Sequence, residues 1–418
     1  MSEQSIPVTV LSGTLGAGKT TTLNHLLAES DQALAVLVND MGAVNVDADR
    51  VAEASDISTE DEKLIELSNG CICCELRGDL LEAIDQLTQS RSEPFDAIVV
   101  ESTGVAEPLP VAQTLTLGFD QSDLDPTEFY EETGMEPLSN CHLDTTVTVV
   151  DAHQFDEAMR SEQVLDDDGT DKHLGDLLIE QVEFCDVLLV NKCDLVDAET
   201  LTELEATLRK LQPRAEIVRT THGEVSPETV IDTGRFDFEE ASQSAGWLKE
   251  LREPHASAEE EHGINSVIFG ARRPFHPERF ADFLDSLPTE IIRAKGHFWL
   301  AGRDERALMM NVAGQSIRIE PGGQWVAALD EETRAEQFDA YPELEEIWDE
   351  QVGDRSIQLV LIGTGVDETV SEQLEQCLLT DDERAEGAPF DDPFPAFELE
   401  EQAPETETEQ AEEVGLAD

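Results

Sequence analysis

The sequence predicts an α/β protein in two units: a mostly parallel sheet covered by helices on both faces, then a smaller α+β domain and a disordered acidic tail. Three observations carry this expectation. Residues 6–222 alternate short apolar runs with amphipathic stretches, as strands joined by crossover helices do. A second series of strand-like runs begins near residue 265, after a stretch crowded with acid at Glu259-Glu260-Glu261. Beyond about residue 381, acid, Pro and small side chains dominate, a composition that buries too little apolar surface to offset the entropy of ordering. A chain of 418 residues is long enough for two or three such cores.

Taken in order, the strand candidates of the first unit are Val8–Leu11, Leu34–Val38, Leu64–Leu67, Ala97–Val100, Thr146–Val150, Val187–Val190 and Glu216–Arg219. Apolar spacing at helical period marks Leu80–Leu87, Leu174–Val182 and Leu201–Leu211 between them. Residues 119–143 break the alternation with Asp, Glu, Pro and Gly and are expected to form an inserted acidic loop. Residues 226–262 suggest a linker. In the second unit, Asn265–Phe269, His297–Ala301, Met309–Val312, Ser316–Ile319 and Gln358–Ile362 suggest strands, and Pro277–Leu287 and Glu368–Leu379 helices. The expected domains are thus 1–225, 263–380 and a tail at 381–418.

The first strand candidate runs into Gly13-Thr14-Leu15-Gly16-Ala17-Gly18-Lys19-Thr20, a complete G-x-x-x-x-G-K-[ST] motif between a strand and a helix. This predicts a P-loop NTPase domain. Backbone N–H groups from Gly13, Gly16, Ala17, Gly18, Lys19, Thr20 and Thr21 would face the phosphates, Lys19 would add a point charge, and the Thr20 hydroxyl would bind Mg²⁺. Asn191-Lys192-Cys193-Asp194 ends a later strand candidate. A carboxylate at Asp194 can accept from both N1–H and the N2 amino group of guanine, donors that adenine lacks together, so the expected nucleotide is GTP. Glu101 ends a strand where NTPases keep an acid that orients Mg²⁺ or the attacking water, and Gly104 allows close approach to the γ-phosphate. Lys19, Thr20, Glu101 and Asp40 are the catalytic candidates.

Three of the seven cysteines crowd into Cys71-Ile72-Cys73-Cys74. Three thiolates make a soft site suited to Zn²⁺, Cu⁺ or a related ion, and the set lacks the second pair of a zinc ribbon, leaving an exchangeable fourth position. Inert buried thiols or a redox pair are the alternatives. Asp40 is placed to offer an oxygen ligand. Cys185 and Cys193 flank an apolar strand candidate and suggest small core residues.

With 94 acidic residues against 26 basic ones, the formal net charge is −68. Such a field repels nucleic acid and anionic membranes, so neither is an expected partner. The acid runs along the whole chain, which favours a solvated halophilic shell over a private interaction surface. No apolar run approaches the ~18 residues of a membrane helix, and the N-terminus has no basic start; a cytoplasmic protein is expected.

Together, the P-loop, Asn39-Asp40-Met41-Gly42, Asn69-Gly70-Cys71-Ile72-Cys73-Cys74, Glu101-Ser102-Thr103-Gly104, Asn191-Lys192-Cys193-Asp194 and Thr221-His222-Gly223 resemble the CobW-like metal-chaperone GTPases. Arg293-Ala294-Lys295-Gly296 and Trp299-Leu300 look like that family's second domain. The resemblance implies that a metal, zinc ahead of cobalt, binds at Cys71, Cys73 and Cys74 and communicates with bound GTP. Hydrolysis would then accompany delivery to a client metalloprotein, with a homodimer among the assemblies it allows. Cobalt handling for cobalamin synthesis, metalloenzyme activation, or a metal or redox sensor that delivers nothing are the alternatives. The chain departs from the family at Asp40 and Ala43, where Glu is common, and has no His-rich loop; Cys141 and His142 stand as a lone pair in the acidic insertion.

Overall fold

The computed structural model describes residues 5–39, 64–67, 80, 83–84, 87, 95–104, 108–117, 140–161, 163–167, 170–242, 264–342, 344–387 and 389–397. The first unit is built on a seven-stranded sheet in the order β3-β2-β4-β1-β5-β8-β9. Its strands are β1 (Ile6–Gly13), β2 (Leu34–Asn39), β3 (Leu64–Leu67), β4 (Ala97–Glu101), β5 (Cys141–Asp151), β8 (Val187–Asn191) and β9 (Glu216–Arg219). Every pairing in it is parallel. The strands are apolar on both faces because helices cover both. Val8, Val10, Leu37, Ile98 and Val100 face one core with Leu80, Ala83, Ile84 and Leu87, a stripe at helical spacing. Leu11, Val36, Val99, Val149 and Leu189 face the other, against Leu23 and Leu26 of α1 (Lys19–Glu29).

The strand order switches at β1, which lies between β4 and β5, with β2 and β3 on one side and β8 and β9 on the other. That places the loop after β1 at the topological switch point, where open α/β sheets bind ligands. Further helices among the described residues of this unit are α2 (Pro108–Leu117), α3 (Phe155–Met159), α4 (Leu174–Glu183), α5 (Ala198–Leu211) and α6 (Phe238–Ser242). The hairpin β6 (Val164–Asp167) and β7 (Thr170–His173) between α3 and α4 was not legible as strands.

Two boundaries differ from the sequence reading. Residues 226–242, expected as linker, pack on the first sheet. Val230 and Ile231 are buried in its core, Thr9 Oγ1 donates to Val230 O at 2.7 Å, and Asp144 accepts from the N–H groups of Thr233 and Gly234 at 2.8 Å. The acidic insertion also ends earlier than residue 143, since Cys141 and Leu143 belong to β5 beside Ile6 and Val8.

The second unit is an antiparallel sheet, β10-β14-β11-β12-β13. Its strands are β10 (Ile264–Ala271), β11 (Ile291–Phe298), β12 (Arg306–Ala313), β13 (Ser316–Gln324) and β14 (Ile357–Thr364). The helices α7 (Pro277–Asp285) and α10 (Glu368–Cys377) pack together on it, and α8 (Glu331–Ala340) and α9 (Leu344–Ile347) precede β14. The strand expected at His297–Ala301 lies earlier, because Phe275 takes the Trp299 carbonyl and turns the chain out of the ladder. Its core is aromatic, with Phe275, Phe280 and Phe298 fully buried. Residues 381–397 carry structure where none was expected. Thr380 and Glu383 form a capping box on α11 (Asp381–Glu386), and Phe394 and Phe397 lie against the aromatic core. Arg303 clamps this segment through Asp392 Oδ2 at 2.7 Å and the carbonyls of Phe394 and Pro395 at 2.8 and 2.9 Å.

The two units meet through α4. Arg293 of β11, 1% exposed, donates from Nε and Nη2 to the two carboxylate oxygens of Glu183, both at 2.8 Å. One and two turns back on the same helix, Glu180 and Asp176 meet Arg318 at 3.1 and 3.4 Å. Asp176 also accepts from the Ser316 hydroxyl at 2.5 Å, and its burial raises its pKa.

Candidate functional site

Two glycines shape the phosphate loop. Gly13 has φ 142°, and a Cβ there would lie 2.5 Å from Val149 O; Gly18 has φ 111°, and a Cβ would lie 2.3 Å from Asn191 Nδ2. Gly18 provides no side-chain cap for α1, so the first N–H groups of that helix stay available to an anion. The buried Lys19 ammonium donates to Gly13 O at 2.8 Å and Thr14 O at 3.3 Å, beneath the same loop. Thr20 Oγ1 donates to Glu101 Oε1 at 2.8 Å, joining the start of α1 to the end of β4. Glu101 is 3% exposed.

Beyond Glu101 the chain stays against the loop. Ser102 Oγ lies 3.1 Å from Ser12 Oγ and donates to Leu11 O at 3.2 Å. Gly104 comes so close that a Cβ would sit 2.7 Å from Leu15 N. Leu15 itself is 83% exposed at the loop's tip. A cleft runs outward from Thr14, Leu15 and Gly104 past Asp151, Gln154 and Phe155 to Leu174 and Leu178 of α4.

At the end of β8, Asn191 fastens the phosphate loop to the loop after β9. Its Nδ2 donates to Ala17 O at 2.9 Å, and its Oδ1 accepts from Gly223 N at 3.0 Å and Thr220 Oγ1 at 3.1 Å. Lys192 adopts the left-handed region at φ 61°, and its ammonium meets Asp151 Oδ2 at 2.6 Å. Asp194 stays exposed in a short 3₁₀ turn, Cys193–Leu195. Thus Gly13, Gly16, Ala17, Gly18, Lys19, Thr20, Thr21, Glu101, Gly104, Asn191, Lys192 and Asp194 all fall on the carboxyl edge of the first sheet.

Asp40, Cys71, Cys73 and Cys74 lie outside the described residues. Among the described residues, no three His, Cys, Asp or Glu side chains are arranged to hold a metal. Cys141 and His142 do not converge: on β5, Cys141 is buried, while His142 is exposed and bonds Ser5 Oγ at 3.0 Å. Cys185 is buried and Cys193 half-buried. Burial holds both thiols above their usual pKa, and pushes Cys377 up to about 11. These thiols stay protonated and behave as core residues.

Residues 7–219 match the family model described as CobW/HypB/UreG, nucleotide-binding domain, and residues 264–378 the one described as cobalamin synthesis protein cobW C-terminal domain. The chain belongs to this family and is a P-loop GTPase. Among CobW-family relatives, it is 38% identical to the zinc-regulated GTPase metalloprotein activator 1 of Dictyostelium discoideum, over 91% of this chain and 81% of that one. It is 30% identical to the zinc chaperone YjiA of Escherichia coli, over 73% of this chain and 86% of that one. A crystal structure of the Zn(II)-bound YjiA GTPase covers 90% of this chain and 99% of its own, at 21% identity and a TM-score of 0.40.

Asp151 was missed by the sequence reading. Its only signal is an acid following the apolar run Thr146–Val150, the same signal that marked Glu101 after Ala97–Val100.

Proposed function

We propose that this GTPase is a metallochaperone that binds zinc through Cys71, Cys73 and Cys74 and passes it to a client metalloprotein, with GTP hydrolysis accompanying the transfer. The observation that carries the reading is where the cysteine segment leaves the sheet. Leu67, the last residue of β3, pairs with Asn39 of β2, and Glu101 of β4 pairs with Val38. The chain therefore enters the cysteine segment at the edge that holds Lys19, Thr20 and Glu101, four residues before Cys71. A metal-induced rearrangement there would be felt at the γ-phosphate. The names of the relatives, two of them zinc proteins, favour zinc over cobalt.

On this reading, the phosphate loop's N–H groups and Lys19 hold the β- and γ-phosphates. Asp194 accepts from guanine N1–H and its N2 amino group, while Asn191 sets the loop's place against Ala17. The hydroxyl of Thr20 and the buried carboxylate of Glu101, already within hydrogen-bond reach, make a hard oxygen pair that fits Mg²⁺. They would hold it where it supplies charge neutralisation on the phosphate oxygens. Glu101 would then orient the attacking water, with Asp40 the second carboxylate candidate. A cytoplasmic location fits an exchangeable thiolate site, because reduced thiols are needed.

Zinc content after purification tests the assignment. The wild type should hold close to one equivalent, and the triple substitution Cys71→Ser, Cys73→Ser, Cys74→Ser should lose it while still binding GDP. Equal zinc in both proteins would rule out the thiolate site.

A further inference from the structure

Asp151 closes β5 directly opposite Asn191, its partner in the β5–β8 register. It is 5% exposed, and its two carboxylate oxygens do different work. Oδ1 accepts from the N–H groups of His153 and Gln154 at 3.0 and 3.2 Å, shaping the turn into α3. Oδ2 accepts from the Lys192 ammonium at 2.6 Å. The turn needs only a neutral acceptor, which an amide oxygen would supply equally well. Among the described residues, Lys192 is the cation that answers its negative charge.

From these contacts, we infer that Asp151 is the positioning residue for Lys192. By pairing its ammonium, Asp151 holds the lysine stem against the nucleoside side of the site and keeps the Asn191–Asp194 loop in its left-handed start. A lysine side chain has many rotamers to lose on being ordered. Left unpaired, at the mouth of a loop with φ 61°, its head would turn to water. Fixed beforehand by a buried carboxylate, it costs the nucleotide less to order on binding. The contribution belongs to nucleotide binding, the step at which the Lys192 side chain must be ordered.

The inference rests on reading Asn191–Asp194 as the base-recognition loop, so the experiment separates the two. Affinity for fluorescent GDP is measured on the full chain carrying D151N, K192M or both, beside its melting temperature without nucleotide. Asn keeps the Oδ1 acceptor of the turn and removes only the charge, so D151N should melt like the wild type. Each single change should weaken GDP about tenfold, and the double change should be no weaker than the worse single one. D194N supplies the control: an amide at residue 194 can donate to the xanthine O2 where the carboxylate accepted from guanine, so preference should move to xanthine nucleotides. If it does not, the base-loop reading falls and the inference with it. If it does, and D151N binds GDP normally or the two effects multiply to about a hundredfold, the positioning role alone is overturned. A melting temperature lowered by D151N would likewise assign Asp151 to structure and overturn it.

Discussion

Thr20 and Glu101 are 81 residues apart and share one hydrogen bond of 2.8 Å. Glu101→Gln retains an acceptor for that hydroxyl and removes the charge. GTP turnover should fall on the order of 10²-fold while GDP affinity changes little, and single-turnover hydrolysis beside equilibrium binding separates the two. Undiminished turnover would remove Glu101 from the chemistry. Farther away, His297 bonds Ser356 Oγ at 3.0 Å. Burial, reinforced by Arg272, pushes its imidazole below the ordinary 6.5. The unfolded chain therefore binds the proton more readily, and the stabilisation is complete above pH 6.5 and lost as pH falls through the folded value. His297→Gln should flatten the decline in melting temperature between about pH 7.5 and 5.5 relative to wild type; parallel curves would contradict this. Lys19 and Asn191 were legible because their motifs are contiguous. Asp151 was not, because its ion pair spans 41 residues and leaves no local pattern.

Helix α4 ties the two units together, with Asp176, Glu180 and Glu183 on the face that meets Arg293, Ser316 and Arg318. Arg293→Met leaves the Glu183 carboxylate largely buried without its partner and should cost about 3–5 kcal/mol. Adding Glu183→Leu should recover most of that, because the stranded charge is gone. Chemical denaturation measures both, and a double variant no better than the single would show that the pair's hydrogen bonds carry the stability. The parallel strands and the longer amphipathic helices, such as α4, α5, α7 and α10, were legible because period and apolar run length decide them. Two segments misled for a shared reason. Residues 226–242 and 381–397 are polar overall, yet they are held by a few spaced anchors: Val230 and Ile231 in one, Phe394 and Phe397 in the other. Ending the chain at residue 388 should lower stability by about 2 kcal/mol, from the exposed aromatic surface. An unchanged melting temperature would mean the segment merely rests there.

Across the whole molecule, 94 acidic residues against 26 basic ones make self-repulsion the dominant long-range field. Ion pairs such as Arg293–Glu183 and Arg214–Asp186 take up part of an already small set of cations, which leaves most of the acid to be screened by solvent ions. Dialysis from molar salt into dilute buffer should reduce folded structure by circular dichroism, and an unchanged spectrum would place the acid in an interaction surface instead. This charge was fully legible in the sequence; how the units dock was not, because it depends on three-dimensional pairing across α4.

In the proposed function, the cysteine segment and the nucleotide site act on one another. A ligand shifts an equilibrium only through its different affinity for two states, and such coupling is reciprocal. The direct measurement is zinc affinity of the full chain by competition with a chromophoric chelator, with Mg²⁺ and either a non-hydrolysable GTP analogue or GDP. Zinc affinities should differ by roughly fivefold or more between the two nucleotides, with the difference abolished when Cys71, Cys73 and Cys74 are Ser. Equal zinc affinity in both nucleotide states would contradict it.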